Sequence, residues 1–263
     1  MKLGISPCPN DTFVFYHLLN SHQFEIDLSI EDIEALNQKV LNHEPDISKV
    51  SLYTAIQVMD HYTLLNSGAT LGKNCGPLLV ARSGDRALNL SDAKIAIPGR
   101  HTTAHLLFSL YGKNEGQKVF MPFYQIMSAV KKGLVDFGVL IHEGRFTYQH
   151  YGLTEIVDLG EWWEERTRLP LPLGGIVAKK ELPETLVREF TRALRDSIER
   201  ALSEKENQTH PIHSYVQMHA QEMEREVIRK HLDLYVNDYS LSLGEEGRKA
   251  IATLVQMAEY SFR

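Results

Sequence analysis

Phe123-Tyr124-Gln125-Ile126-Met127-Ser128-Ala129-Val130-Lys131-Lys132-Gly133, followed closely by Asp136-Phe137-Gly138-Val139-Leu140-Ile141-His142, contains the unit from which this chain is built. In the first run Ile126, Ala129 and Val130 fall at the three- and four-residue spacing of one helix face. That predicts a helix over 123–132, stopped by Gly133 at the C′ position, where a left-handed backbone favours glycine. Residues 137–141 are then nearly continuous apolar, the pattern of a parallel strand covered on both faces. His142 comes directly after that strand.

The same unit recurs outward from this stretch. Residues 94–97 read as a strand, 103–110 as a helix and 118–121 as a strand. Nearer the N-terminus the spacing predicts strand 2–6, then helix 11–19 with Phe15, Leu18 and Leu19 on one face. Strand 24–30 follows, on alternating Phe24, Ile26, Leu28 and Ile30, with helix 32–41, strand 46–50 and helix 52–59 after it. Residues 62–66, 77–81, 156–159 and 175–178 read as further strands. Two strand–helix sets imply an α/β chain with parallel sheets and covering helices. From Pro183 the pattern is helix alone, over 184–202, 222–235 and 245–262. This terminal block is expected to pack back on the first set.

Composition bounds the function. The 263 residues are 43% hydrophobic and 24% charged, enough for a normal core. A net charge of −6 argues against a nucleic-acid partner, which needs a basic face to neutralise phosphates. Only Cys8 and Cys75 are available for a disulfide, and two free thiols in a reducing compartment is the expected state. No basic and apolar leader opens the sequence, and no run approaches a membrane span. The expectation is a soluble, cytoplasmic protein with no membrane partner. The sequence carries no reading of oligomeric state.

Three turns share one design, in which a strand ends, a polar turn follows and a helix begins. They are Ser6-Pro7-Cys8-Pro9-Asn10-Asp11-Thr12-Phe13, Ser48-Lys49-Val50-Ser51-Leu52-Tyr53 and Pro98-Gly99-Arg100-His101-Thr102-Thr103-Ala104. Each is expected to put a hydroxyl or amide side chain at a helix N-cap. In an open α/β sheet such strand ends line one crevice, and helix N-termini favour anions there. A small anionic substrate is therefore expected, although every helix needs a cap and each turn could be only that. His142 stands at a strand end facing the same crevice, where a histidine can act as general base near neutral pH. Position alone leaves it one histidine among 12. Glu143 could orient it or be merely solvated.

Competing signals are weaker. His101 and His105 have an i, i+4 spacing, but Thr102-Thr103-Ala104 lacks the glutamate of a zinc-protease helix and no third ligand is evident. His210 and His213 look like surface residues, and Trp162-Trp163 like packing or a pocket wall. No glycine-rich phosphate loop, Gly-x-Ser-x-Gly elbow or Cys-x-x-Cys occurs, so neither a metal nor a cofactor is expected.

Ser6-Pro7-Cys8-Pro9-Asn10-Asp11-Thr12-Phe13, Lys49-Val50-Ser51 and Gly138-Val139-Leu140-Ile141-His142-Glu143 together resemble the 1,4-dihydroxy-6-naphthoate synthase family of the futalosine route to menaquinone. The resemblance runs over the whole length, and the Ser-Pro-Cys-Pro-Asn-Asp opening is its most specific part. It implies a two-lobed fold like that of type II periplasmic binding proteins, with the ligand cleft between the lobes. On that fold, residues 1–80 and 182–263 would form lobe I and residues 81–181 lobe II. The implied reaction is conversion of cyclic dehypoxanthine futalosine to 1,4-dihydroxy-6-naphthoate by proton abstraction, ring opening and elimination, a cofactor-independent lyase. By resemblance the base maps onto His142. Ser51, Thr102 and Thr103 would bind the carboxylate or hydroxyl groups of the substrate, with Asn10 and Asp11 shaping the pocket. Two other readings stay open: a non-catalytic small-anion binding protein, and a chorismate-type dehydratase of the same pathway.

Overall fold

The computed structural model describes residues 1–83, 89–111, 116–220 and 224–261. The first set runs β1 (Lys2–Ile5), α1 (Pro9–Asn20), β2 (Asp27–Ile30), α2 (Ile33–Leu41), β3 (Ile47–Ser51), α3 (Leu52–Gln57), β4 (Tyr62–Leu64) and β5 (Thr70–Gly72). The second runs β6 (Leu78–Arg82), β7 (Lys94–Ile97), α4 (Thr103–Tyr111), β8 (Gln117–Phe120), α5 (Phe123–Lys131), β9 (Phe137–Leu140), α6 (Gly144–Thr147), β10 (Leu153–Asp158) and α7 (Leu159–Thr167). Then come β11 (Leu171–Lys179) and the terminal helices α8 (Glu184–Glu204), α9 (Pro211–His219), α10 (Arg225–Tyr235), α11 (Asp238–Leu241) and α12 (Gly244–Ser261). The expected helix start at Glu222 and helix end at Phe262 lie outside the described residues. The fold is α/β with two sheets and a C-terminal helical block.

The sheets are mixed rather than parallel. In the first, ordered β2-β1-β3-β11-β4 with β5 also on β11, the β1 pairings are parallel and those of β11 antiparallel. In the second, ordered β10-β6-β9-β7-β8, β7 pairs parallel with β8 and β9, whereas β6 runs antiparallel to β9 and β10. The antiparallel strands β6 and β11 are those that follow the two crossings between sheets. The chain crosses at 73–77 and returns at 159–170. The expected divisions at 80/81 and 181/182 are therefore displaced: the first cuts β6, and the second assigns β11 to the wrong sheet. An apolar run tells burial but not direction, which is why periodicity missed this.

The two crossings touch through glycine. A Cβ on Gly76 would lie 2.1 Å from the Gly160 amide nitrogen, and one on Gly160 would lie 2.6 Å from the Gly76 nitrogen. Asp158 fixes the return crossing by accepting from the Gly160 and Glu161 N–H groups at the start of α7. Its other oxygen takes the Arg145 guanidinium at 2.6 Å, and Arg145 also donates to the Gly76 carbonyl.

Helices α8, α9 and α10 of the terminal block pack on α1 of the first lobe as expected, whereas α12 also reaches α4 of the second lobe. Phe190, Leu194, Ser197, Ile198 and Ala201 form the buried stripe of α8, against Phe13, Phe15 and Leu18. Ser197, the one polar member, donates to the Val14 carbonyl and accepts from the Leu18 N–H. Gly133 ends α5 at φ +71°, in its expected role. His210, partly exposed, is the N-cap of α9, accepting from the Ile212 N–H, and His213 is also partly exposed. No helix of the described residues is long and apolar enough to cross a membrane.

Candidate active site

The strand ends of both sheets meet in a cleft lined by residues from both lobes. Asn10, Asp11, Ser51, Thr102, Thr103 and His142 all line it, so the three turns converge on one cavity. They do not do so as three capped helices. Thr102 caps α4, accepting from the His105 N–H at 3.2 Å. Ser51 occupies the N-cap of α3 without a capping bond, and Cys8 is the N-cap of α1, with Pro9 next. Asn10 and Asp11 fall inside the first turn, and their side chains serve a different purpose.

That purpose is to hold a buried lysine. Every residue of β3 is buried, including Lys49 at 4% exposure. A charge there is tolerable only if paired and hydrogen-bonded. The Asp11 carboxylate lies 2.7 Å from Lys49 Nζ, and Thr70 Oγ1 at 2.8 Å. Asp11 also accepts from Ser6 Oγ at 2.5 Å and Asn10 Nδ2 at 2.8 Å. In the sequence Lys49 stands out only as part of the Lys49-Val50-Ser51 motif. The readable signal was a lysine inside an otherwise buried strand.

Ser51 is bracketed by Asn37, which donates Nδ2 to its Oγ at 3.0 Å and accepts its N–H at 2.9 Å. Asn37 is fully buried on α2 and was not singled out from sequence. The hydroxyl protons of Thr102 and Thr103 are spent on the Gly99 and Leu173 carbonyls, at 2.9 and 2.7 Å. Thr103 Oγ1 also accepts the Tyr53 N–H at 3.2 Å. Thr103 thus joins the start of α3 on the first lobe to the start of α4 on the second.

His142 follows β9 with φ +55°, a left-handed conformation uncommon outside glycine. The bend turns its ring across the cleft to the first lobe, with Nδ1 3.1 Å from Cys8 Sγ. Phe123 packs edge-on at 4.8 Å. Burial pushes the imidazole down to about 4, so it is neutral at pH 7 and able to accept a proton. Burial, then the charges of Glu143 and Asp11, push the Cys8 thiol well up. Cys8 and Cys75 are both free and buried. Glu143 is not solvated, being 4% exposed. From the terminal block, α10 brings His231 and Tyr235 to the cleft, and neither was foreseen. Away from the cleft, Trp163 is core, donating to the Leu169 and Pro170 carbonyls, and His105 bonds the Arg100 carbonyl.

Known proteins share this architecture. A 1,4-dihydroxy-6-naphthoate synthase from Thermus thermophilus is 44% identical over 98% of this chain and 94% of its own. One of the same name from Streptomyces coelicolor is 40% identical over 98% of this chain and 92% of its own. A solved protein from Archaeoglobus fulgidus superposes with a TM-score of 0.91 at 36% identity, over 99% of this chain and 97% of that one. The periplasmic aliphatic sulphonate binding protein of Escherichia coli superposes at 0.66 with 13% identity, over 100% of this chain and 86% of that one, which shows the fold alone. The sequence profile of a family described as menaquinone biosynthesis matches residues 1–260. With two near-full-length relatives carrying one name, a family profile spanning the described chain and the cleft of a periplasmic-binding-protein fold, the chain belongs to the menaquinone biosynthesis family.

Proposed function

We propose that this chain converts cyclic dehypoxanthine futalosine to 1,4-dihydroxy-6-naphthoate, as a lyase, with His142 as the base that begins the reaction. The observation that carries the proposal is the position of His142: a neutral imidazole, held by its backbone bend at a cleft that also contains the Ser51 hydroxyl and backbone N–H donors. A carbon acid next to a carbonyl gives its proton to the imidazole, and the electron pair left behind drives ring opening. Elimination then releases the sugar-derived fragment, and aromatisation makes the sequence downhill. The overall change moves protons and breaks bonds without net oxidation, so proton transfer alone can begin it.

The Ser51 hydroxyl and the first-turn N–H groups beside Thr102 and Thr103 are placed to receive the carboxylate of the substrate. With their own hydroxyls engaged, the threonines act through backbone rather than side chain. Asn10 and Asp11 shape the floor by fixing Lys49. Closure between the lobes excludes water and strengthens each of these contacts.

The test is to incubate the dialysed protein with cyclic dehypoxanthine futalosine, with and without a chelator, and follow the dihydroxynaphthoate chromophore. Product in both samples is expected. Substrate recovered intact would return the chain to the binding-protein reading. Turnover abolished by the chelator would overturn cofactor independence.

A further inference from the structure

The fixed orientation of one amide determines what a second histidine can do. Asn10 Nδ2 must face the Asp11 oxygen it bonds at 2.8 Å, because that oxygen is an acceptor already paired with Lys49. Asn10 Oδ1 is then the atom 2.9 Å from His231 Nε2, so Nε2 carries the hydrogen. Burial above all, with His142 and the Lys49 ammonium nearby, pushes the His231 imidazole well below its ordinary value, so the ring is neutral. Its Nδ1 is therefore a bare lone pair. The ring is 1% exposed and lines the cleft, and Nδ1 has no partner among the described residues. A buried acceptor left unmet is costly, and at a residue lining a cleft a ligand can supply the donor.

We propose that His231 Nδ1 accepts a hydrogen bond from a hydroxyl group of the substrate, so that α10 reads the hydroxylated, sugar-derived end of the molecule. The inference rests on the reaction proposed above. A carboxylate could not serve there, since two acceptors would face each other. The carboxylate is thereby assigned to the Ser51 and α4 side, and the substrate has one orientation beneath His142. A site built around a substrate hydroxyl discriminates strongly against analogues that lack it.

Two substitutions separate this role from mere support of Asn10. His231→Gln retains a donor where Nε2 stands but loses the acceptor at Nδ1, whereas His231→Asn retains a polar atom near Nδ1 and loses the bond to Asn10. For His231→Gln, KM is expected to rise about tenfold with kcat changed less than about twofold, the range for one neutral hydrogen bond. For His231→Asn, KM should stay within about threefold of wild type, even if the melting temperature falls. The opposite pattern, with Gln normal and Asn impaired, or an Asn variant with a KM raised about tenfold, overturns the role. If His231→Gln fails to fold, the Asn result decides alone. Wild-type turnover is the control: its absence sinks the reaction itself, while normal wild-type turnover with the wrong variant pattern sinks only His231.

Discussion

Lys49 sits at the centre of a fully buried strand, and the Asp11 carboxylate is what makes its charge tolerable there. Removing one partner of a buried pair leaves the other charge uncompensated, at about 3–5 kcal/mol. Lys49→Met should accordingly lower the melting temperature by about 10 °C, at 2–4 °C per kcal/mol for a chain of this size. Lys49→Met combined with Asp11→Leu should recover part of that loss, because no charge is then stranded. A single variant melting within about 2 °C of wild type would contradict the pairing. His142 makes the opposite prediction. His142→Ala should keep the melting temperature within a few degrees and bind substrate, but lose at least ~100-fold in kcat. Near-normal kcat would remove it as the base. His142 was legible because it ends an apolar strand. The role of Lys49 was not, since its partner is 38 positions away, and His231 finds Asn10 across 221.

At the scale of elements, the most constrained place is where the two crossings touch. Backbone meets backbone there, so no flexible side chain can yield to an added methyl group. Gly160→Ala is expected to cost more than about 2 kcal/mol, within the range for overpacking, and to impair closure by forcing the crossings apart. Small-angle scattering should show a more open particle, and urea unfolding a lower midpoint. A variant matching wild type in both would show that the crossings can separate freely. Helices and strands were largely readable here because a one-sided apolar stripe fixes both type and face, as along α8. Strand direction was not readable. Parallel β3 and antiparallel β11 are both buried nearly throughout, and only the crossings decide which way each runs. The helix α7 was missed because its buried members are few, Leu159, Gly160 and Trp163, too sparse for a clear period.

The fold draws His142 and His231 from separate parts of the chain into one cleft, where both are buried, and this links stability to pH. Burial pushes His142 down to about 4 and His231 well below its ordinary value. Asp11 favours the charged form of His142 while Lys49 opposes it, and burial outweighs both. As pH falls through about 6.5, these histidines take up protons in the unfolded chain but not in the folded one. The unfolded state then binds more protons, so folding stability declines between about pH 6.5 and pH 4. Below about 4 His142 is protonated in both states, and its contribution changes no further. The part due to His142 alone is on the order of 3 kcal/mol across that window. Carboxylates titrate in the same range, so the comparison must be differential. Urea midpoints at pH 7.5, 6 and 5 should fall more steeply for wild type than for His142→Phe, which has no proton to take up. The kcat/KM profile should instead hold across that window and fall only near pH 4, where the base of the folded enzyme is protonated. Parallel urea slopes in the two proteins would mean that His142 titrates alike folded and unfolded, and that the cleft does not shield it from water.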